Sequence, residues 1–376
     1  MVERSHFRRS LDERIRRPMP FCVLTWMVDW CTKTSIMETN VKQKSFVNSP
    51  SPARFYWIDW MKAIGISLIV YGHFFSLYDI YVYVFSVPLF FLISGFLTKQ
   101  ETDIKVFWKK ILFNLVVPMV IICSTDYLIR SAKGYVQTST WSENPLSFIV
   151  RLLIGTQGAL GAFWFVYTLI ILKIVFQFTK KPYLHIVWTI LFLACAYIIN
   201  NNDVVICGKH LNAFPWAIPN AFVAYPFFII GHYFQTWKQQ IASYKIGKGT
   251  IIWILTCLFI VFLCGHKHKY VYLYNCGYGD NIFLFLVGGV AGSALIFFVS
   301  KVLERIHWKA ITDISIGTTL ILGFHFHFIA IFRHFFKTSS IADALFTIII
   351  VLLFVPIIRL CAAYVPIVMG KYRIKK

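Results

Sequence analysis

Charge is what this sequence has least of. Only 14% of its 376 residues are charged, and acidic ones are the scarcest, with 16 Asp+Glu against 37 Lys+Arg and a formal net charge of +21. Intrinsic disorder needs low hydrophobicity and dense charge, and here 58% of residues are hydrophobic. A mean hydropathy of +0.66 also exceeds what one soluble core requires, so an ordinary soluble globular protein is excluded. Cysteine occurs nine times but never as a CxxC pair, and most of the thiols sit in apolar runs, where they act as small hydrophobes. Cys207 and Cys276 lie in or near polar segments, where one disulfide between them is compatible with the sequence. Walker, Rossmann and HExxH signatures are missing, which disfavours nucleotide hydrolysis and zinc proteolysis. His266 and His268, two apart with no carboxylate beside them, make a poor ligand set, and no metal is expected. No nucleic-acid partner is expected either, because the basic residues lie between apolar spans rather than on one face.

What the chain has instead is long apolar runs. A helix needs roughly twenty mostly apolar residues to cross the hydrocarbon layer, where no backbone group is left unpaired. Ten segments meet that need, near 58–78, 80–98, 107–128, 161–179, 184–199, 215–236, 250–265, 281–300, 314–332 and 341–363. The fifth and seventh are short. The predicted fold class is therefore all-α, a polytopic membrane protein of about ten transmembrane helices set in the lipid bilayer. With both termini cytoplasmic, the inner loops and tail hold about twice as many Lys and Arg as the outer segments, as the positive-inside rule requires. The organisation expected is a basic cytoplasmic extension over 1–56, a membrane domain over 57–365 and a basic cytoplasmic tail over 366–376.

The stretch richest in chemistry is Trp57-Ile-Asp-Trp-Met-Lys62-Ala-Ile-Gly-Ile-Ser-Leu-Ile-Val-Tyr-Gly72-His73. Eleven residues of helix separate Lys62 from His73, about three turns, so the two share a face with roughly 16 Å between them. Lys62 then sits at the inner interface and His73 near mid-membrane, where a polar group either serves a function or bonds a neighbouring helix. An imidazole there can take a proton from a hydroxyl, and an interfacial lysine can pair with phosphate. A ligand anionic at its cytoplasmic end and reactive at its far end fits both, and an acyl-coenzyme A is one. Asp59 shares the Lys62 face and pairs with it at the interface as the simplest reading. Asp79 is either a solvated loop acid or an orienting group for His73. His325 and His327 lie about 200° apart round a helix, so one of them can face an interior cavity. Ser94-Gly95 reads as a close-packing position.

Taken together, these residues resemble the integral-membrane acyltransferase 3 family, particularly its O-acetyltransferases of surface polysaccharides. The resemblance rests on Lys62-x10-His73 and on Pro88-Leu-Phe-Phe-Leu-Ile-Ser94-Gly95-Phe96. It continues through Phe163-Trp164-Phe165, Tyr225-Pro226-Phe227-Phe228-x-x-Gly231 and Ile316-Gly317-Thr318-Thr319-Leu320-Ile321-Leu322-Gly323-Phe324-His325, and so runs from about 57 to 365. It implies transfer of an acetyl group from cytoplasmic acetyl-CoA to a hydroxyl of a surface polysaccharide or lipid-linked glycan, in a bacterial cytoplasmic membrane. His73 is then the catalytic base and Lys62 lies on the donor path. Lys109 and Lys110 stand where the family usually carries paired arginines and either contact coenzyme phosphate or snorkel to the interface. His325 binds the acceptor hydroxyl, supports His73 or bonds another helix; Trp164 stacks on a sugar or belongs to an aromatic belt. The family's second-span histidine is missing, since Phe85-Ser86-Val87-Pro88 occupies its place. The rival reading is a transporter or flippase of lipid-linked sugars, with His73 as a proton relay.

Overall fold

The computed structural model describes residues 54–75, 78–139, 144–155, 161–202, 205–206, 209–210, 214–267, 271–336 and 339–370. The basic front up to residue 53, Cys207, His268 and the tail from residue 371 lie outside the described residues. The chain divides into two compact units, residues 55–127 with 145–376 and residues 1–54 with 128–144. The bundle below is the first of these. The described part of the second is Arg54, the end of one helix from Leu128 with Ser139, and Asn144.

The architecture is all-α. Among the described residues ten principal helices follow one another: α1 Tyr56–Gly72, α2 Ser86–Leu97, α3 Val117–Thr138, α4 Trp164–Phe178, α5 Pro182–Asn201, α6 Ile218–Phe234, α7 Lys248–Lys267, α8 Ile282–Leu303, α9 Thr318–Phe335 and α10 Ser340–Tyr364. A helix occupies each of the ten expected places. Among the described residues, seven segments are long and apolar enough by themselves to cross a bilayer. An eighth is the bent pair Lys309–Ile316 and Thr318–Phe335. The α5 and α7 helices, expected to be short, each run to twenty residues. Polar end residues such as Pro182, Lys248 and Lys267 continue them beyond their apolar centres, and proline at a first helical position costs no hydrogen bond. The only strands among the described residues are the two-residue pair Val205–Ile206 and Lys209–His210, between α5 and α6.

Local chemistry sets the helix ends. The Asn281 side chain accepts from the Phe283 and Leu284 amides at the start of α8, and Ser339 accepts from Ala342 at the start of α10, satisfying donors that a helix start leaves open. Before α3 the chain makes one π-helical turn, Leu112–Val116. Pro118, which lacks an N–H, follows it and cannot bond the carbonyl of Asn114 four residues back. Gly370, at φ +62, lies against that carbonyl; a Cβ there would sit 2.5 Å from the oxygen, so glycine lets the chain after α10 dock on the π turn.

The tightest packing joins α2 to α6. A Cβ on Gly95 would fall 1.8 Å from the Phe228 carbonyl oxygen, and one on Gly231 would fall 1.9 Å from that of Leu92. The two glycines thus let two backbones touch reciprocally, as small residues do at membrane helix interfaces. Around this contact Tyr225, Phe227 and Phe228 are fully buried. The chain also turns by 88° between Lys309–Ile316 and α9. The hinge is Gly317, where a Cβ would meet Ile358 of α10 at 2.2 Å.

The structure decides among several of these readings. Asp59 is buried and accepts a 2.6 Å hydrogen bond from Ser315 of the bent segment, a contact that ties α1 to that segment. Asp79 is buried at the start of the short helix Asp79–Tyr83 and is not a solvated loop acid. Lys173 lies within α4 and donates to Thr98 Oγ1 at 2.6 Å. Cys276 is a free, buried thiol whose Sγ donates to the Pro219 carbonyl at 3.1 Å, so it forms no disulfide.

Candidate active site

The site begins where α1 ends. Gly72 is the last helical residue and His73 caps it, its amide bonded to the Ile69 carbonyl at 3.2 Å. The next two amides, of Phe74 and Phe75, bond carbonyls only three residues back, at 3.0 and 2.9 Å, so the chain tightens into a turn that finishes with Phe75 at φ +49. A residue with a side chain is costly in that left-handed conformation. Arg333 of α9 braces the turn: its guanidinium donates to the Phe74 carbonyl and lies 5.8 and 5.9 Å from the Phe74 and Phe75 ring centres. Gly72 makes room for Tyr83, whose ring a Cβ would approach to 3.2 Å.

This turn delivers the imidazole of His73 to α9. His325 Nε2 lies 2.9 Å from His73 Nδ1, with the ring centres 4.8 Å apart. His325 is fully buried, whereas His73 keeps part of its surface accessible. Phe326 and Tyr83 close the other sides of His73, at 4.6 and 6.2 Å between ring centres.

Hydrogen-bond chemistry assigns the protons. His325 Nδ1 is 3.0 Å from the Ile321 carbonyl, which can only accept, so Nδ1 carries the hydrogen. In the neutral ring Nε2 is then bare and accepts from His73 Nδ1–H. That leaves the lone pair of the His73 ring on Nε2, the atom facing away from the pair. One buried imidazole thus sets the tautomer of a second, more accessible one, the relation an orienting group bears to a base.

The other sequence-predicted residues are placed apart from this pair. Lys62 is half-buried along α1, eleven residues before His73. Lys109 and Lys110 are exposed on the short helix Ile104–Ile111, and Lys110 is ion-paired with Glu101. Trp164 opens α4 with its ring half-buried against Phe165, 6.4 Å away. The turn just before it, Gly161–Phe163, packs on α9 near Gly323. His327 points away from His325, as the 200° offset requires, and bonds Asp126 Oδ1 at 2.7 Å.

Two groups escaped the sequence reading. Lys173 and Thr98 belong to a polar seam in which Gln177 accepts from the Glu101 amide at 2.9 Å and donates to the Glu101 carbonyl at 2.8 Å. A charged residue inside an apolar run was the available signal, since such residues are rare in spans and seldom idle. Arg333 carried no comparable signal, because its partner is a backbone carbonyl.

A family model described as an acyltransferase domain matches residues 55–364. No curated protein and no solved structure matches the chain.

Proposed function

The chain belongs to the acyltransferase 3 family, and we propose that it is a membrane O-acetyltransferase that moves an acetyl group from acetyl-CoA to a hydroxyl of a cell-surface polysaccharide or lipid-linked glycan. The observation that carries the chemistry is the 2.9 Å contact between His325 Nε2 and His73 Nδ1. It favours a base at His73 Nε2, the role that hydroxyl activation requires.

In this reading His73 Nε2 accepts the proton of the acceptor hydroxyl as that oxygen attacks the thioester carbonyl. A C–O bond forms, the C–S bond breaks, and the departing sulfur takes the proton back from His73. His325 remains neutral and accepts a hydrogen bond from Nδ1–H throughout, which keeps the imidazole in one orientation. Lys62 and Lys109 serve the phosphates of the donor by charge. Lys110 does so only by exchanging its partner Glu101. Trp164 offers the acceptor sugar an aromatic face. The site of action is a bacterial cytoplasmic membrane, with the donor reached from the cytoplasm.

The test compares membranes carrying wild-type protein with membranes carrying His73→Ala, following acetyl-CoA consumption and glycan acetylation by mass spectrometry. Acetylation that disappears with His73 is the expected result. Wild-type membranes that translocate a glycan and never acetylate one contradict it and favour a carrier.

A further inference from the structure

A cavity of about 200 Å³ opens where α2, α4 and α6 end and α5 begins, away from the histidine pair. Lys99, Lys180, His185, His232, Gln100 and Phe176 are among its lining residues. The lining contains no carboxylate, and its only ionisable groups besides a tyrosine are two lysines and two histidines. Basic residues at this face serve topology wherever they stand; a cavity between two of them is a different matter.

The chain has arranged the cavity's other groups so that these cations face no competition. Three helices end here, and their terminal carbonyls would repel an anion. Amide side chains cover carbonyls at those ends: Gln100 Nε2 donates to Phe176 O at 2.8 Å and Thr179 O at 2.7 Å, and Gln235 Nε2 donates to Phe96 O. Lys99 and Lys180 are exposed, and neither forms an ion pair among the described residues. The His185 and His232 rings lie on the buried Phe176 ring at 5.5 and 4.5 Å between centres. His185 Nδ1 is occupied by Tyr225 Oη at 2.8 Å. His232 Nδ1 is buried and has no hydrogen-bond partner among the described residues.

We infer that this cavity is a phosphate-binding site, separate from His73, in which Lys99 and Lys180 supply the charge that meets the anion. Two sources present that chemistry at a membrane surface: the nucleotide end of a soluble donor such as a coenzyme A, and the headgroup of an anionic phospholipid. The inference does not depend on transfer chemistry at His73, because it is read by binding alone.

The experiment uses the full-length protein in nanodiscs. In phosphatidylcholine discs, binding of radiolabelled adenosine 3′,5′-bisphosphate is measured by equilibrium dialysis. In discs containing phosphatidylglycerol, lipid retained by the protein is measured by native mass spectrometry. Both lysines are exposed, so the Lys99→Gln/Lys180→Gln variant keeps the fold, and Lys99→Arg/Lys180→Arg restores charge. About tenfold or greater weakening of the bisphosphate in the Gln variant, recovered in the Arg variant, supports the site with a soluble ligand; charge-assisted bonds carry that much. Phosphatidylglycerol retained by wild type and lost from the Gln variant, with no bisphosphate bound, supports the site with a lipid ligand. Binding of both probes unchanged by the substitutions, or binding of neither, overturns it. His73→Ala protein binds as wild type does, so a failed transfer reaction and a failed phosphate site give different results.

Discussion

His325 donates through Nδ1 to the carbonyl of Ile321, one turn back on its own helix, and through that single bond presents a bare Nε2 to His73 2.9 Å away. The backbone of α9 therefore decides which nitrogen of a residue on α1 holds a lone pair. A protonated His325 would offer His73 a second donor and drive its lone pair inward, so this account requires His325 to be neutral while it works.

The first prediction follows from the acceptor role of His325. A glutamine at this position places an amide oxygen close to where Nε2 stands and can accept from His73 Nδ1–H; a leucine cannot. His325→Gln retains a measurable fraction of kcat, and His325→Leu lowers kcat by about 100-fold, the lower end of the range for a lost acid–base function. Steady-state kinetics with both variants at matched expression checks this. Equal loss in the two would remove the hydrogen-bond argument.

Arg333 is a positioning residue for the same imidazole. Its guanidinium grips the Phe74 carbonyl in the turn that ends at Phe75, φ +49. Arg333→Ala is expected to cost about 1.5–3 kcal/mol, the range for a hydrogen bond to a charged group, and to lower kcat with little change in KM. Arg333→Lys recovers part of both, because lysine keeps the charge without the planar fork. A fall in stability with kcat preserved would confine Arg333 to structure.

The reciprocal contact of Gly95 and Gly231 predicts intolerance to even one methyl group. Each added Cβ meets a backbone oxygen at under 2 Å, 1.8 Å at Gly95 and 1.9 Å at Gly231, and backbone cannot step aside as a side chain does. Gly95→Ala and Gly231→Ala are each expected to lower stability by about 1–3 kcal/mol or more, read as reduced thermal unfolding temperature in detergent. Gly247→Ala is the control, since nothing lies within 4 Å of its added Cβ.

Cys276 lies in the loop between α7 and α8, and burial pushes its thiol up to about 12 from the usual 9.0. In the folded protein the neutral thiol persists between those values, while the unfolded chain ionises there, so folding loses stability as pH rises above about 9. Alkylation of Cys276 at pH 8.5, followed by peptide mass spectrometry, is expected to be much slower in the native protein than after denaturation. Rapid native alkylation would contradict the buried Sγ–Pro219 bond.

The helices were legible in the sequence because a bilayer imposes a length and a polarity that few other environments demand. Even the weakest two, α5 and α7, were in place, and only their polar ends went unread. His73 and His325 could be singled out one at a time, as imidazoles in apolar runs. Their separation of 252 positions meant that no periodicity could show them touching, and the resemblance to a family named both without giving the distance. The bond from Ser315 to Asp59 was out of reach because helical spacing shows only neighbours such as Lys62, and Ser315 lies 256 residues away. The role of Lys173 was hidden because its acceptor within the bundle, Thr98, comes from the chain after α2. The Gln100 and Gln235 amides were invisible for a related reason, since both bond carbonyls, and any residue carries one.

The claim on which the rest turns is that His73 Nε2 removes the acceptor's proton. Acceptor-dependent release of the coenzyme thiol, measured with purified wild-type and His73→Ala protein at equal amounts and confirmed folding, tests it most directly. The account predicts a loss of about 10²–10⁴-fold in kcat for the variant, the span general-base catalysis supplies. A His73→Ala protein that releases thiol within twofold of wild type would contradict it.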